Sequence, residues 1–318
     1  MIEQLFNSLD ETVKQSTLND FRNFMSIHEG VTKWSIYSDY CIDDSSKLYN
    51  SATFTLIPYI NAFDEVRATL KELAPKDLKK TKEVNQLFCE FIKSGYMFNL
   101  SILFKSGKEH VFHGIQKEAY FNSFDSLNDN LSEWIKNTPS MKDYYSKIIK
   151  KNNFMKQELA RKTFNFKLLN NILLVQLITV YLYYLICSES KVKPEIIGWL
   201  SDRDNMTTYN NGIIYDLFHI NFHGICNKYA LDDSKIKLIF AQSDIKNSFV
   251  WFDEFLRIPD LLSGALAGRR DAVDEKDKYD TIFKKAILDN NFLSVIKIYN
   301  DEGIRGTCRL NFKLKEEA

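Results

Sequence analysis

Proline and glycine are scarce, at 5 and 11 in 318 residues. That argues against long disordered linkers and against an all-β fold built on many tight turns. Charge of one sign is also missing, because 42 Lys and Arg balance 42 Asp and Glu. A uniformly basic surface for nucleic acid is therefore excluded, although a local basic groove is not. The five cysteines, Cys41, Cys89, Cys187, Cys226 and Cys308, are odd in number, widely spaced and form no C-x-x-C pair. Zinc-ribbon and thioredoxin-type chemistry have no ligand pattern here. The thiols read as reduced, in a cytoplasmic protein. No G-x-S-x-G elbow and no G-x-x-x-x-G-K-[ST] loop occurs. The first residues, MIEQLFNSLDETVKQ, carry acids early and no long apolar run, unlike a secretory signal.

What is present is apolar and aromatic. Hydrophobic residues make up 45 %, with 24 Phe and 16 Tyr, enough for a large core. The stretch from Trp34 to Tyr59 organises the reading. A strand is expected over 33–40, then a polar turn containing Asp43 and Asp44, then a strand over 52–59. Pro58 marks the end of that strand or an edge of the sheet. Helices are expected over 2–28 and 61–94, with Gly95 as a cap. A strand over 97–105 and a short one at 111–113 follow. Residues 117–163 read as mostly helical.

Twenty uncharged residues run from Leu168 to Cys187, the length of a membrane span. Asn170, Asn171, Gln176 and Thr179 within them favour a helix buried in protein, with no membrane contact. Beyond it, Ile196 to Leu200 form a strand that ends at Asp202. A helix spans 210–229, a strand 235–244 and a helix 249–267. Residues 269–280 form a charged loop, followed by a helix to about Tyr299 and a terminal strand at 307–314. The expected organisation is an α/β core in two halves, 1–116 and 191–318, with 117–190 as a helical insertion or cap.

The chemistry-bearing candidates are carboxylates at element ends. Asp39 ends the first strand, Asp202 and Asp204 follow a later one, and Asp260 lies in the helix FLRIPDLLSGALAG. Acids at the ends of neighbouring strands, with one on a facing helix, can converge on a hard divalent ion such as Mg²⁺. Asp253 shares the helix face of Asp260, and Arg257 at i+4 offers it an ion pair. Gly264 and Gly268 would let this helix approach the sheet. His219 and His223 have the i, i+4 spacing of a metal pair, but HINFH is not H-E-x-x-H, and a half-buried polar edge is expected.

The motifs Ser38-Asp39-Tyr40, Ser201-Asp202-Arg203-Asp204 and Pro259-Asp260-Leu261-Leu262-Ser263-Gly264-Ala265 resemble those of the ribonuclease H-like superfamily. More narrowly, they are similar to those of an uncharacterised bacterial family of that fold with a first-strand Asp-Glu-Ser and a final-helix Ala-Asp-Leu-Leu-x-Gly-Ala. The resemblance implies a mixed sheet flanked by helices. It also implies a nuclease that hydrolyses phosphodiester bonds with two Mg²⁺ or Mn²⁺ ions. Asp39, Asp202 and Asp260 would be catalytic metal ligands, Asp204 an alternate or outer ligand, and nucleic acid the partner. Tyr40 stands where that family has glutamate, so that ligand is either missing or supplied by Asp43 or Asp44. Lysines of 142–162, or Arg269 and Arg270, would contact phosphates. The alternative is a non-catalytic interaction protein on the same fold.

Overall fold

The computed structural model describes residues 2–242, 250–268 and 278–312. At its centre is one seven-stranded sheet: β1 (Lys33–Cys41), β2 (Asn50–Pro58), β3 (Phe98–Phe104), β4 (Ile196–Ser201), β5 (Lys237–Gln242), β6 (Leu293–Asp301) and β7 (Ile304–Arg309). Their spatial order is β5-β4-β1-β2-β3-β6-β7. β1 to β3 form an antiparallel meander. β4 and β5 add in parallel beside β1, β6 adds in parallel beside β3, and β7 closes antiparallel on β6. The protein is thus α/β, with a mixed sheet and helices on both faces.

The central strands form because they bury both sides, while the edge strands β5 and β7 stay partly exposed. β2 is buried along its whole length, and its two threonines pair across the ladder. Thr53 Oγ1 meets Ser101 Oγ at 2.8 Å, and the Thr55 hydroxyl donates to Asn99 Oδ1 at 2.7 Å. Pro58 therefore ends a central strand rather than marking an edge.

Alternation along β1 sends Trp34, Ile36 and Ser38 to one face and Ser35, Tyr37 and Asp39 to the other. Trp34 and Ile36 join a core with α1 (Ile2–Ser16), α2 (Leu18–Ile27), α5 (Lys117–Asn137), α6 (Lys142–Ala160), α7 (Phe166–Glu189), α8 (Asn205–Thr208) and α9 (Ile213–Lys228). Tyr37 joins a second core with α3 (Phe63–Leu73), α4 (Gln86–Ile92), α10 (Asp253–Ala267) and α11 (Lys278–Ile282).

α7 has the length and composition of a membrane span, yet it is buried within the fold. Phe6 and Tyr181 pack edge to face, and the Tyr183 hydroxyl donates to Ile197 O at 3.3 Å. Three of its polar side chains are bonded as a buried helix requires. Gln176 accepts from Asn221 at 3.0 Å, Asn170 accepts from Tyr120 at 2.6 Å, and Thr179 donates to Val175 O at 2.9 Å. Asn171 sits beside His110 and favours that ring's protonated form, although its buried Oδ1 has no conventional hydrogen bond.

Three expected elements differ. Residues 111–114 form a turn, not a strand, and put Val111 and Phe112 into the core. The expected helix to Tyr299 stops at Ile287, where α11 passes through a single π turn (Phe283–Ile287). Leu293 onward is β6, because the segment pairs with β3 on one side and β7 on the other. The last strand is Ile304–Arg309, so the expected stretch 307–314 starts too late. The charged loop is described only from Lys278, which is already helical; residues 269–277 lie outside the described residues.

Candidate functional site

The four singled-out aspartates line one cavity of about 810 Å³. Asp39 lies near the end of β1 on the face covered by α10. Asp202 follows β4 directly, and its N–H donates to Ser38 O at 3.0 Å. The Ser38–Ser201 pairing of the parallel strands brings Asp39 and Asp202 level on adjacent strands of that face. Asp260 reaches the cavity from α10, which lies across β1 and β2. The helix is fixed there by Phe255, which stacks on Tyr37 at 4.9 Å and on Phe63 at 4.5 Å. Pro259 sits inside the helix and cannot donate the usual hydrogen bond to Phe255 O.

Asp204 has a structural task as well. Its Oδ1 accepts the Met206 and Thr207 N–H groups at 2.7 and 3.0 Å, and Thr207 Oγ1 accepts the Asp204 N–H, a capping box at the start of α8. Asp260 likewise holds a backbone group: its Oδ2 accepts the Leu78 N–H at 2.7 Å.

Electrostatics mark Asp39 most strongly. By exposed area it is half-buried, but protein surrounds its carboxyl. Burial, then the Asp260 and Asp202 carboxylates, raise it well above the usual carboxylate range, against the Tyr40 N–H it accepts at 2.5 Å. Asp260 is raised by burial and by Asp202, opposed by the Leu78 N–H, Arg257 and Lys79. Asp204 is raised by burial, opposed by its capped amides. Close carboxylates that penalise one another as anions are what a divalent cation relieves.

The donors are all hard oxygens, suited to Mg²⁺ or Mn²⁺. Among the described residues, no three His, Cys, Asp or Glu side chains stand close enough together to hold one ion. Mg²⁺ does not need three, because it is commonly held by one or two carboxylates with waters and substrate phosphates. The residues present fit that mode of binding and not a closed protein cage.

Tyr40 points to the face opposite Asp39, where its hydroxyl meets Ser38 Oγ at 2.7 Å and its ring packs on Phe54. Asp43 is drawn away, pairing with Lys167 at 2.8 Å, and does not line the cavity. Asp44 does line it, while bonding the Ser46 N–H and hydroxyl. Asp253 pairs with Arg257, which also pairs with Asp77. A Cβ on Gly264 would lie 2.7 Å from Leu78 Cδ2, and one on Gly268 2.7 Å from Lys47 Nζ. The space at these glycines thus admits Leu78 and Lys47, not the sheet. His223 Nδ1 pairs with Asp233, and His223 Nε2 is 3.2 Å from His219 Nε2, a half-buried polar edge.

The lysines of 142–162, expected to contact phosphates, lie away from the cavity. α6 packs Met155 and Leu159 into the core on the other face of the sheet. Lys151 is paired with Asp216, Lys156 with Asp125, and none of these lysines lines the cavity. Arg269 and Arg270 lie outside the described residues. Lys47, Lys79 and Arg257 line it instead. The signal for Lys79 was the run KDLKKTKE at 76–83, whose nearness to the acids is visible only in three dimensions.

No protein-family model, curated protein or solved structure matches this chain.

Proposed function

We propose that this protein is a divalent-metal-dependent nuclease of ribonuclease H-like architecture. The observation that carries the reading is the convergence of Asp39, Asp202 and Asp260 on one cavity and one face, with Asp39 strongly disfavoured as an anion. The strand order, with an antiparallel meander and two parallel strands added beside β1, supports the architecture. Asp39, Asp202 and Asp260 would hold Mg²⁺ or Mn²⁺ no more than two at a time, with waters and substrate phosphate as the other ligands, and Asp204 would stand behind them while capping α8. The chemistry supplied by such ions when bound is activation of a water and neutralisation of the leaving oxygen in phosphodiester hydrolysis.

The chain's own residues do the positioning. The β1–β4 pairing holds two carboxylates level. Phe255 and Tyr37 anchor the helix that carries the third. The Leu78 N–H fixes one oxygen of Asp260 and so orients its other oxygen. Lys47, Lys79 and Arg257 place positive charge on the cavity wall, where a phosphate can meet it.

A non-catalytic interaction protein on the same architecture is the second reading. It is favoured by the lack of three donors within reach of one ion among the described residues. Mn²⁺-dependent cleavage of single- and double-stranded DNA and RNA separates the two. Wild type should cleave at least one substrate, and Asp39→Asn, Asp202→Asn and Asp260→Asn should each lose cleavage while remaining folded. No cleavage of any substrate, with no Mn²⁺-induced rise in melting temperature, sinks the enzyme reading.

A further inference from the structure

We propose that loop 76–82, between α3 and α4, is the element that grips the sugar–phosphate backbone of a polynucleotide beside the acidic cavity; this rests on the nuclease reading of that cavity. The loop carries Lys76, Lys79, Lys80 and Lys82, all exposed. Lys80 pairs with Asp77 at 3.0 Å. The other three form no ion pair among the described residues. In a chain of zero net charge, such a local concentration is the footprint that matters for a polyanion.

An exposed lysine run is most often merely solvated, but this one is fixed in place. The Leu78 N–H donates to Asp260, while Lys278 Nζ donates to Leu78 O at 2.6 Å and to Thr81 O at 2.8 Å. Arg257 pairs with Asp77. The Leu78 side chain is buried in the space left by Gly264. At the far end, Asn85 Oδ1 accepts the Leu87 N–H at 2.9 Å and starts α4. Exposed lysines on an anchored backbone suit a ligand whose charges repeat along a line.

The place is also right for a long ligand. The acidic cavity meets a second hollow of about 510 Å³, lined by Lys76, Lys80 and Lys82, and Leu78 and Arg257 line both. Lys79 faces the acidic side, where its charge acts on Asp260. A strand with one phosphate at the carboxylates could continue over the loop into that hollow. A lone nucleotide would not use both.

The test measures binding and cleavage separately. Fluorescence anisotropy with a labelled oligonucleotide, as single-stranded DNA, single-stranded RNA and duplex, is read in EDTA across about 50–200 mM salt. Cleavage is read in Mn²⁺. The variants are K76A/K79A/K82A, D39N, and K33A/K108A/K136A, which removes three exposed lysines remote from both hollows. For a single strand, losing three phosphate contacts should flatten the slope of log affinity against log salt by about 2. The expected result is weaker, flatter binding for K76A/K79A/K82A only, with D39N binding as wild type but not cleaving. Wild-type binding and slope in K76A/K79A/K82A, with wild type cleaving, overturns the loop assignment and leaves the nuclease reading standing. Binding through the loop without cleavage supports the loop assignment and removes the catalysis. No binding of any oligonucleotide overturns the loop assignment whether or not cleavage is seen.

Discussion

Asp39 and Asp202 are 163 positions apart in the chain, yet Asp39 near the end of β1 lies level with Asp202 directly after the parallel strand β4, just past the Ser38–Ser201 pairing. β1 and β4 place both carboxylates on the face that α10 covers, and α10 brings Asp260 to them. The arrangement places unlike demands on the four acids, and each demand can be measured.

For Asp39 the demand is electrostatic. Its folded carboxyl is raised above the ordinary range, so the folded state binds more protons than the unfolded state between the two values. Apo stability therefore falls as pH rises through that window and stays lower above it. Asp39→Asn should raise apo stability at pH 7 relative to wild type, and the difference should vanish below about pH 3, where both states are protonated. Melting curves against pH check this. A variant less stable than wild type at pH 7 would show that Asp39 is structural rather than strained.

Asp204 both caps and lines the cavity, and two substitutions separate these roles. Asp204→Ala removes the acceptor of two amides and should cost about 1 kcal/mol. Asp204→Asn keeps a good cap and should cost little stability. If cleavage is lost in both, Asp204 serves the site by charge. If Asp204→Asn cleaves as wild type, capping is its whole role. Denaturant unfolding and cleavage rates, measured on the same samples, decide it.

Tyr40 borders the cavity, but its ring is turned to the other face, so loss of its hydroxyl should leave the metal response unchanged. Tyr40→Phe loses the contact with Ser38, whose Oγ still accepts the Trp199 N–H at 2.8 Å. The expected cost is about 1 kcal/mol, with the Mn²⁺-induced melting shift unchanged. A lost shift would place the hydroxyl in the site.

Acid should destabilise the fold through two histidines. Burial lowers His110 and His219 to about 4. Their unfolded forms protonate near pH 6.5, so stability falls as pH drops from about 6.5 towards 4. The ceiling is roughly 3 kcal/mol for each ring. His219→Phe should flatten the fall of stability with pH over that range, as read from urea midpoints. An unchanged slope would mean that the ring is already wet.

Acid release at Asp39 opposes the histidines, since its strain disappears on protonation. The Asp39→Asn background should therefore show the steeper loss of stability between pH 6.5 and 4. Urea midpoints on the single and double variants separate the two contributions.

Local pattern alone determined much of this protein. Alternation in KWSIYSDYC and in the segment after Ala52 specified the hairpin, because a strand's side chains change face at every residue. The uncharged run after Leu168, broken by amides, specified a helix buried in protein, because those amides need partners that hydrocarbon cannot supply. Asp39, Asp202, Asp204 and Asp260 stood out as acids at the ends or on the face of such elements. The segment after Leu293 is ambiguous in sequence because its short apolar run suits a helix or a strand equally. The partners β3 and β7, far away or not yet reached in the chain, made it a strand. Whether the acids share a cavity depended on strand order and on which face α10 covers, neither of which is encoded in local spacing. The tertiary structure also turned Tyr40 away from Asp39, moved Asp43 to Lys167, and carried Lys79 to the acids in place of the lysines of α6. Each of these was decided by packing between segments distant in sequence, where the energy of contact belongs to the pair and is written in neither segment alone.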